Sequence, residues 1–184
     1  GLFDYERAAA SPAWIRELRG EHTPETEVYG FTSFVYRARA PFDAERLWSL
    51  VHHARFWRGV LRAKGFFWIA QRPEIAYELA QAGKVSSLRP AGHWWAGVDP
   101  ARWPDERPDA QPGWDPQFGD RAQELVFIGQ RLDEAAIRRE LDACLLPEAL
   151  IAAGEAVWRR FPCPFPAVED DDDDDGHGVD EGAA

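Results

Sequence analysis

Two apolar stripes of helical period, set among runs of strand length, constrain this chain more than any other feature. After Pro41 and Asp43, the residues Ala44, Leu47, Trp48 and Val51 recur at spacings of three and four, which predicts an amphipathic helix fading near His53. Asp133 is placed to cap a second helix, whose stripe is Ile137, Leu141, Cys144 and Leu145 and which Pro147 stops. Around these stripes, residues 28–38, 60–70, 84–88 and 123–129 read as strands, with Gly92 to Trp95 completing or following the third. The first alternates across Ser33 to Arg37, and the last is apolar on both faces, which places it centrally. Residues 99–120 are proline-rich and read as a loop anchored by Trp103 and Trp114. Nearer the start, Ser11 and Pro12 signal a helix with Trp14, Ile15 and Leu18 on one face. The order strand, helix, strand, strand, strand, helix predicts an α+β domain. Its sheet is small and mostly antiparallel with helices on one face, a variant of the ferredoxin-like or split βαβ arrangement.

Charge and composition narrow the functions. The net charge is −11, but Glu169, the run from Asp170 to Asp175, Asp180 and Glu181 supply nine acids with no Lys or Arg among them. Removing those nine leaves −2, so the body is nearly neutral and the acidity is a tail, which repels itself and is expected to be disordered. A nearly neutral body argues against nucleic acid as a partner. Apolar residues make up 45%, with nine tryptophans, enough for a sizeable core. No apolar run approaches the ~20 residues of a membrane span, so no membrane partner is expected. Cys144 and Cys163 form no metal-binding pair and no disulfide framework, and free thiols with no secretory leader suggest the cytoplasm. The chain begins at Gly1 and contains no methionine, from which we expect a piece of a longer protein.

The chemistry-bearing motifs are few. The phosphate-cradling G-x-x-x-x-G-K-[ST] is absent, as are G-x-G-x-x-G, G-x-S-x-G and H-E-x-x-H, so the chain is not expected to be an enzyme. His52 and His53 point about 100° apart on a helix and cannot easily chelate one ion; a polar helix end is the simpler role. His93 precedes Trp94 and Trp95, of which one strand face would bury only one. In the tail, Asp174, Asp175 and His177 offer a weak divalent-metal site, and a purely solubilising role is the alternative. Lys64-Gly65-Phe66-Phe67-Trp68-Ile69 partly matches an RNA-recognition strand, with Phe67 and Gln71 against the pattern. Arg62, Lys64, Phe66 and Trp68 share one face of that strand by period two. They mark either a contact surface for a partner or a face covered from within the domain.

Several blocks together resemble the C-terminal domain of CobW-type proteins. They are Gly1-Leu2-Phe3-Asp4, the run from Glu27 to Arg37, Arg39-Ala40-Pro41-Phe42, the run from Leu61 to Trp68, Gly92-His93-Trp94-Trp95, and the run from Gly119 to Gly129. They occur in order across most of the chain. The resemblance implies a P-loop GTPase acting as a metallochaperone for zinc or cobalt, in metal homeostasis or a cobalamin-related role. Its GTP, magnesium and Cys-rich metal motif belong to an N-terminal domain outside this sequence. It further implies that this chain is a non-catalytic binding and regulatory domain without its own cofactor. Its partners would be that GTPase domain and a client metalloprotein. On this reading residues 1–26 are a helical linker, 27–150 the α+β domain, 151–168 a C-terminal strap and 169–184 the acidic tail. The rival expectations are an RNA-binding sheet and an acidic-tail metal buffer.

Overall fold

The computed structural model describes residues 30–166. The expected N-terminal helix, the start of the first strand at Val28, and the acidic tail with Asp174, Asp175 and His177 lie outside the described residues. In chain order the elements are β1 (Phe31–Ala38), α1 (Ala44–His52), β2 (Val60–Phe67), β3 (Ile75–Ala82), β4 (Val85–His93), β5 (Gln123–Gln130), α2 (Glu134–Asp142), α3 (Glu148–Ala153) and α4 (Glu155–Trp158).

Both expected helix caps are present. The Asp43 carboxylate accepts from the Arg46 amide and that of Asp133 from the Ala136 amide, each satisfying one of the donors a helix start leaves free. The stripe of α1 buries Ala44, Leu47 and Val51, and that of α2 buries Ile137 and Leu141. Helix α2 ends at Asp142, before Pro147, which instead precedes α3.

The five strands form one sheet in the order β1-β5-β2-β3-β4, every neighbouring pair antiparallel. Because β5 is antiparallel to both β1 and β2, those two run parallel, joined by α1 with β5 filling the gap. That is the split βαβ arrangement, with the β3–β4 hairpin added beyond β2. The register places Phe34 and Ala63 on either side of Phe127. These residues, with Tyr36, Phe67, Tyr77, Leu79 and Leu125, pack against α1 and α2 to make the main core. A second buried cluster forms on the opposite face from Phe66, Trp68, Ala76, Trp94, Phe118, Val126, Leu146 and Trp158.

The sequence reading has four strands, and the structure has five. Residues 75–82, Ile-Ala-Tyr-Glu-Leu-Ala-Gln-Ala, alternate Ile75, Tyr77 and Leu79 with smaller or polar residues, but they hold one β-branched residue and consist largely of helix formers. Pairing on both edges overrides that propensity. The hairpin closes through Gly83 and Lys84 between the paired Ala82 and Val85, and Gly83 takes the φ of +61° that such two-residue turns require. Strand β4 is correspondingly longer than residues 84–88. It forms one edge of the sheet, carries Pro90, and faces a register shift between Ala76 and Tyr77.

The tightest approach in the sheet is at Gly65, where a Cβ would stand 2.0 Å from the Glu124 carbonyl oxygen and 2.8 Å from the Leu125 Cα. Both are backbone atoms of the central strand, so no side chain can move aside. Gly65→Ala is expected to destabilise by about 3 kcal/mol or more, lowering the thermal midpoint by about 10 °C. A calorimetric midpoint within 2 °C of the parent would show that β2 and β5 separate more easily than this packing implies.

Candidate partner-binding face

Opposite α1 and α2, the sheet presents Ser33, Val35 and Arg37 from β1, Glu124, Val126 and Ile128 from β5, Arg62, Lys64 and Phe66 from β2, and Glu78 and Ala80 from β3. One end of this face is closed. Phe66 is 3% exposed and Trp68 0%. The Trp68 indole N–H donates to the Arg39 carbonyl at 3.1 Å, and its ring lies 5.5 Å from Phe118 and 6.4 Å from Trp158. The Arg121 guanidinium sits 5.2 Å over the same ring and donates to Glu155 at 2.6 Å and to the Ala96 carbonyl at 3.3 Å. A cation over an aromatic face gains from the ring quadrupole, most when desolvated, as Arg121 is.

The cover itself is the connection between β4 and β5. The Asp120 carboxylate accepts from the Trp95 amide at 2.8 Å and the Ala96 amide at 3.0 Å, tying the two ends of the connection together. Trp103 donates to the Trp95 and Val98 carbonyls and packs edge-on against Trp114 at 5.7 Å, so both expected anchors hold the loop. Beneath it, the buried Gln123 amide accepts from the Trp68 amide at 3.0 Å and donates to the Ala40 carbonyl at 2.8 Å and the Trp68 carbonyl at 3.0 Å. It thereby stitches three segments at one corner.

Placement of the four singled-out residues is therefore uneven. Arg62, Lys64 and Phe66 share one face of β2 and Trp68 follows just past its end in the same cluster as Phe66, but Phe66 and Trp68 are core, covered from within the domain, and are not presented to a partner. For the same reason they cannot stack on bases, which removes the physical basis of the RNA-binding reading. Lys64 is half-buried and pairs with Glu78 at 3.3 Å; Arg89 reaches the same carboxylate at 2.7 Å, and Arg37 pairs with Glu124 at 3.3 Å. Arg62 alone of the four is exposed.

The other end of the face is open. The large apolar side chains most exposed among the described residues are Phe31 at 43%, Leu61 at 49% and Val85 at 74%. Each lies at the start of its strand, at the end of the sheet where Arg62 stands. Sequence reading missed all three, because exposure of an apolar residue in a strand depends on what the loops do not cover. Leu61 has a local signal: the register between β2 and β5 shifts between Val60 and Arg62, displacing it from the ladder.

No three His, Cys, Asp or Glu residues are grouped to hold a metal among the described residues, so the residues present there do not fit a metal site. His52 is exposed, its Nδ1 lies 2.8 Å from the Trp48 carbonyl, and its ring lies 4.3 Å from Trp48, a helix-end role. His93 is half-buried, Trp94 is buried with its indole donating to the Ile75 carbonyl, and Trp95 is half-buried. Burial pushes the Cys144 thiol up to about 11, and its Sγ donates to the Glu140 carbonyl at 3.3 Å. Among the described residues, no helix is long and apolar enough to cross a membrane.

Two outcomes follow from these placements. Trp68→Ala is expected to destabilise by about 3–5 kcal/mol while Arg62→Glu stays within about 0.5 kcal/mol of the parent; urea unfolding of the two variants measures the contrast, and equal stabilities would place Trp68 outside the core. Cys144 is expected to resist iodoacetamide at pH ~8, where a buried thiol with a raised pKa stays protonated, and to react once the chain is unfolded in urea. Peptide mass spectrometry reads this directly, and equal labelling in both states would overturn the burial.

Residues 31–145 match the family model described as the cobalamin synthesis protein cobW C-terminal domain. The chain is 41% identical over 174 residues to the zinc-regulated GTPase metalloprotein activator 1 of Dictyostelium discoideum, covering 92% of this chain and 37% of that protein. It is 29% identical over 140 residues to a zinc chaperone of Mycobacterium tuberculosis, covering 74% of this chain and 34% of that protein. The chain thus spans little more than a third of the curated relatives it matches. A solved structure of zinc-bound YjiA GTPase from E. coli aligns at 20% identity over 68% of this chain and 33% of that chain, with a TM-score of 0.47.

Proposed function

The chain belongs to the family of cobW C-terminal domains, and on that premise we propose that it is the non-catalytic binding and regulatory domain of a GTP-dependent zinc metallochaperone. The observation that carries the reading is the 41% identity across 92% of the chain to a zinc-regulated GTPase metalloprotein activator, of which this chain spans only 37%. The remainder of such a protein is where nucleotide and magnesium would be held, since this sequence contains no phosphate cradle. Zinc is favoured over cobalt or a cobalamin-related role because the names of two relatives specify zinc. Zinc here is cargo, and the described residues supply no site for it. We place the protein in the cytoplasm on the same reading.

The GTPase domain of the same protein would dock on the open end of the sheet, with the client metalloprotein as the second partner. Support comes from the geometry: Phe31, Leu61 and Val85 are exposed beside Arg62, and β1, whose first residue is Phe31, begins there. Apolar contacts rimmed by Arg are what an interface anchor needs. A nucleotide-dependent change in the GTPase domain would then alter its hold on this face. Residues 1–26 would serve as the linker between the two domains. The strap proposed for residues 151–168 would hold its place through Trp158 and Phe165, both buried.

Calorimetry of the isolated chain with GTP and magnesium is expected to show neither binding nor turnover; micromolar affinity would overturn the non-catalytic assignment. The combined variant Phe31→Asp, Arg62→Glu is expected to keep its fold and to lose about 1–3 kcal/mol of affinity for the separately expressed GTPase domain. Surface plasmon resonance measures it, and unchanged affinity would move the docking face elsewhere.

A further inference from the structure

Phe31, Leu61 and Val85 form a row across the open end of the sheet. They belong to β1, β2 and β4, every second strand in the order β1-β5-β2-β3-β4, so neighbours in the row stand two strand spacings apart, about 10 Å. Their levels nearly match. Phe31 pairs with Gln130, Leu61 lies between Val60 and Arg62, which pair with Gly129 and Ile128, and Val85 pairs with Ala82, itself opposite Arg62. The ends of the row therefore differ by about 7 Å along the strands over a length of about 19 Å across them. By parity Phe31 lies on the face of Ser33 and Val35, and Val85 on the face of Arg89, which reaches Glu78; both open opposite α1 and α2. Leu61 is the extra residue at the register shift.

Each member of the row has an exposed cation beside it. Arg131 follows the Gln130 that faces Phe31, Arg62 follows Leu61, and Lys84 precedes Val85. Among the described residues none of these three cations has a hydrogen-bonding or ion-pair partner. The stretches that carry the row hold no acid: Asp and Glu are absent from residues 46–73, 79–98 and 125–132. Arg55 and Arg58, in the connection that leads to Leu61, are exposed and unpartnered among the described residues as well, and the Gln130 amide ties that connection to β5 by donating to the Gly59 carbonyl at 2.9 Å. Exposed cations without such partners also stand at Arg102, Arg139 and Arg160, but none of them neighbours Phe31, Leu61 or Val85 along the chain or across a ladder. The row is marked by the conjunction of an apolar anchor with an unpaired cation, repeated at one spacing, and not by the cations alone.

The spacing selects the form of what docks. Seven residues of α-helix rise about 10.5 Å and return to within about 20° of the same face, so side chains seven residues apart match the row anchor for anchor. An extended segment does not match: three residues rise about 10 Å but turn successive side chains to opposite faces, and two or four residues rise about 7 or 13 Å. The cations select its charge, since guanidinium groups fork onto carboxylates. Phosphate would meet the cations and leave the three apolar side chains without a counterpart. We infer that the open end receives an acidic amphipathic helix of the partner polypeptide, its apolar side chains on Phe31, Leu61 and Val85 and its carboxylates toward Arg62, Lys84 and Arg131. This inference rests on the reading of the open end as the dock for the GTPase domain, and adds the form and charge of the element that docks. Such a helix spans about 15 residues from first anchor to last.

The probe is a fluorescent peptide of about 18 residues built from Glu and Ala, with three leucines seven residues apart. Fluorescence anisotropy with the full chain is expected to show binding. Respacing the leucines to every fifth residue, which scatters them around the helix, is expected to weaken it by about tenfold or more. Replacing the glutamates by glutamine is expected to weaken it by a similar factor, and only the glutamate peptide is expected to lose affinity as salt rises from about 0.05 to 0.5 M. In the chain, Leu61→Asp and Arg62→Glu are each expected to weaken binding by about tenfold, while Arg139→Glu, at an equally exposed and unpaired cation, leaves it unchanged. Amide chemical shifts of the parent chain are expected to move at residues 31–33, 59–62, 83–86 and 130–131 and to stay fixed at 94–122. Absence of binding, equal binding of the respaced peptide, or shifts confined to other residues overturns the inference. Tighter binding of polyuridylate or of phosphatidylserine vesicles at the same residues would make phosphate the ligand and would also overturn it. Should Leu61→Asp unfold the chain, the shifts of the parent decide. If the peptide fails while the combined variant Phe31→Asp, Arg62→Glu still loses affinity for the GTPase domain, the dock stands and the helix alone is refuted.

Discussion

The sheet depends on one insertion. Strands β1 and β2 run parallel and are too far apart to bond each other, so each has an edge that only β5 can satisfy. β5 buries Leu125 and Phe127 toward α1 and α2 and Val126 toward the opposite face, and Gly65 lets its backbone approach β2. The demand that β5 arrive between its partners also dictates the path before it. β4 ends at the far edge, and the chain must return across β3 and β2 to begin β5. That return is the Trp-anchored connection, which is why one end of the face opposite the helices is roofed and the other end is bare.

The two ends of that face treat charge in opposite ways. At the roofed end, Arg121 is buried, and its charge is met by Glu155, a carbonyl and the Trp68 ring, so desolvation is offset locally. Across the middle, Glu78 serves two cations at once. At the bare end, cations stand in water without carboxylates, next to exposed apolar side chains. A domain of this size has little reason to keep such a combination for its own stability, since exposed charges contribute little to folding. The arrangement makes sense as a surface that meets something else.

Much of this was legible from residue order. The helix caps at Asp43 and Asp133, the stripes behind them and the double-sided apolarity of β5 are local signals, and each element formed where its signal lies. β3 was not legible, because Ala, Glu, Leu and Gln favour a helix when isolated and became a strand only through two long-range pairings. The shared face of Arg62, Lys64, Phe66 and Trp68 follows from strand parity, but parity cannot say what lies above a face. The roof comes from residues 94–122, and Trp158 joins from the far end of the chain, in a segment that reads as a plain strap. The bare end is a property of where loops do not go, and no residue type announces that.

The outer edge of the sheet has a consequence for how the domain behaves in a crowd. An unpaired strand edge is a template on which a neighbouring copy can add its own strand. β4 carries Pro90, which has no amide hydrogen, and stands opposite the register shift at Ala76 and Tyr77. A missing donor and a twisted ladder interrupt the regular spacing that a foreign strand would have to match. The edge is thereby spoiled for sheet extension while its first residue, Val85, stays free for side-chain contact. The domain can present an apolar surface to a chosen partner without offering its backbone to an unchosen one.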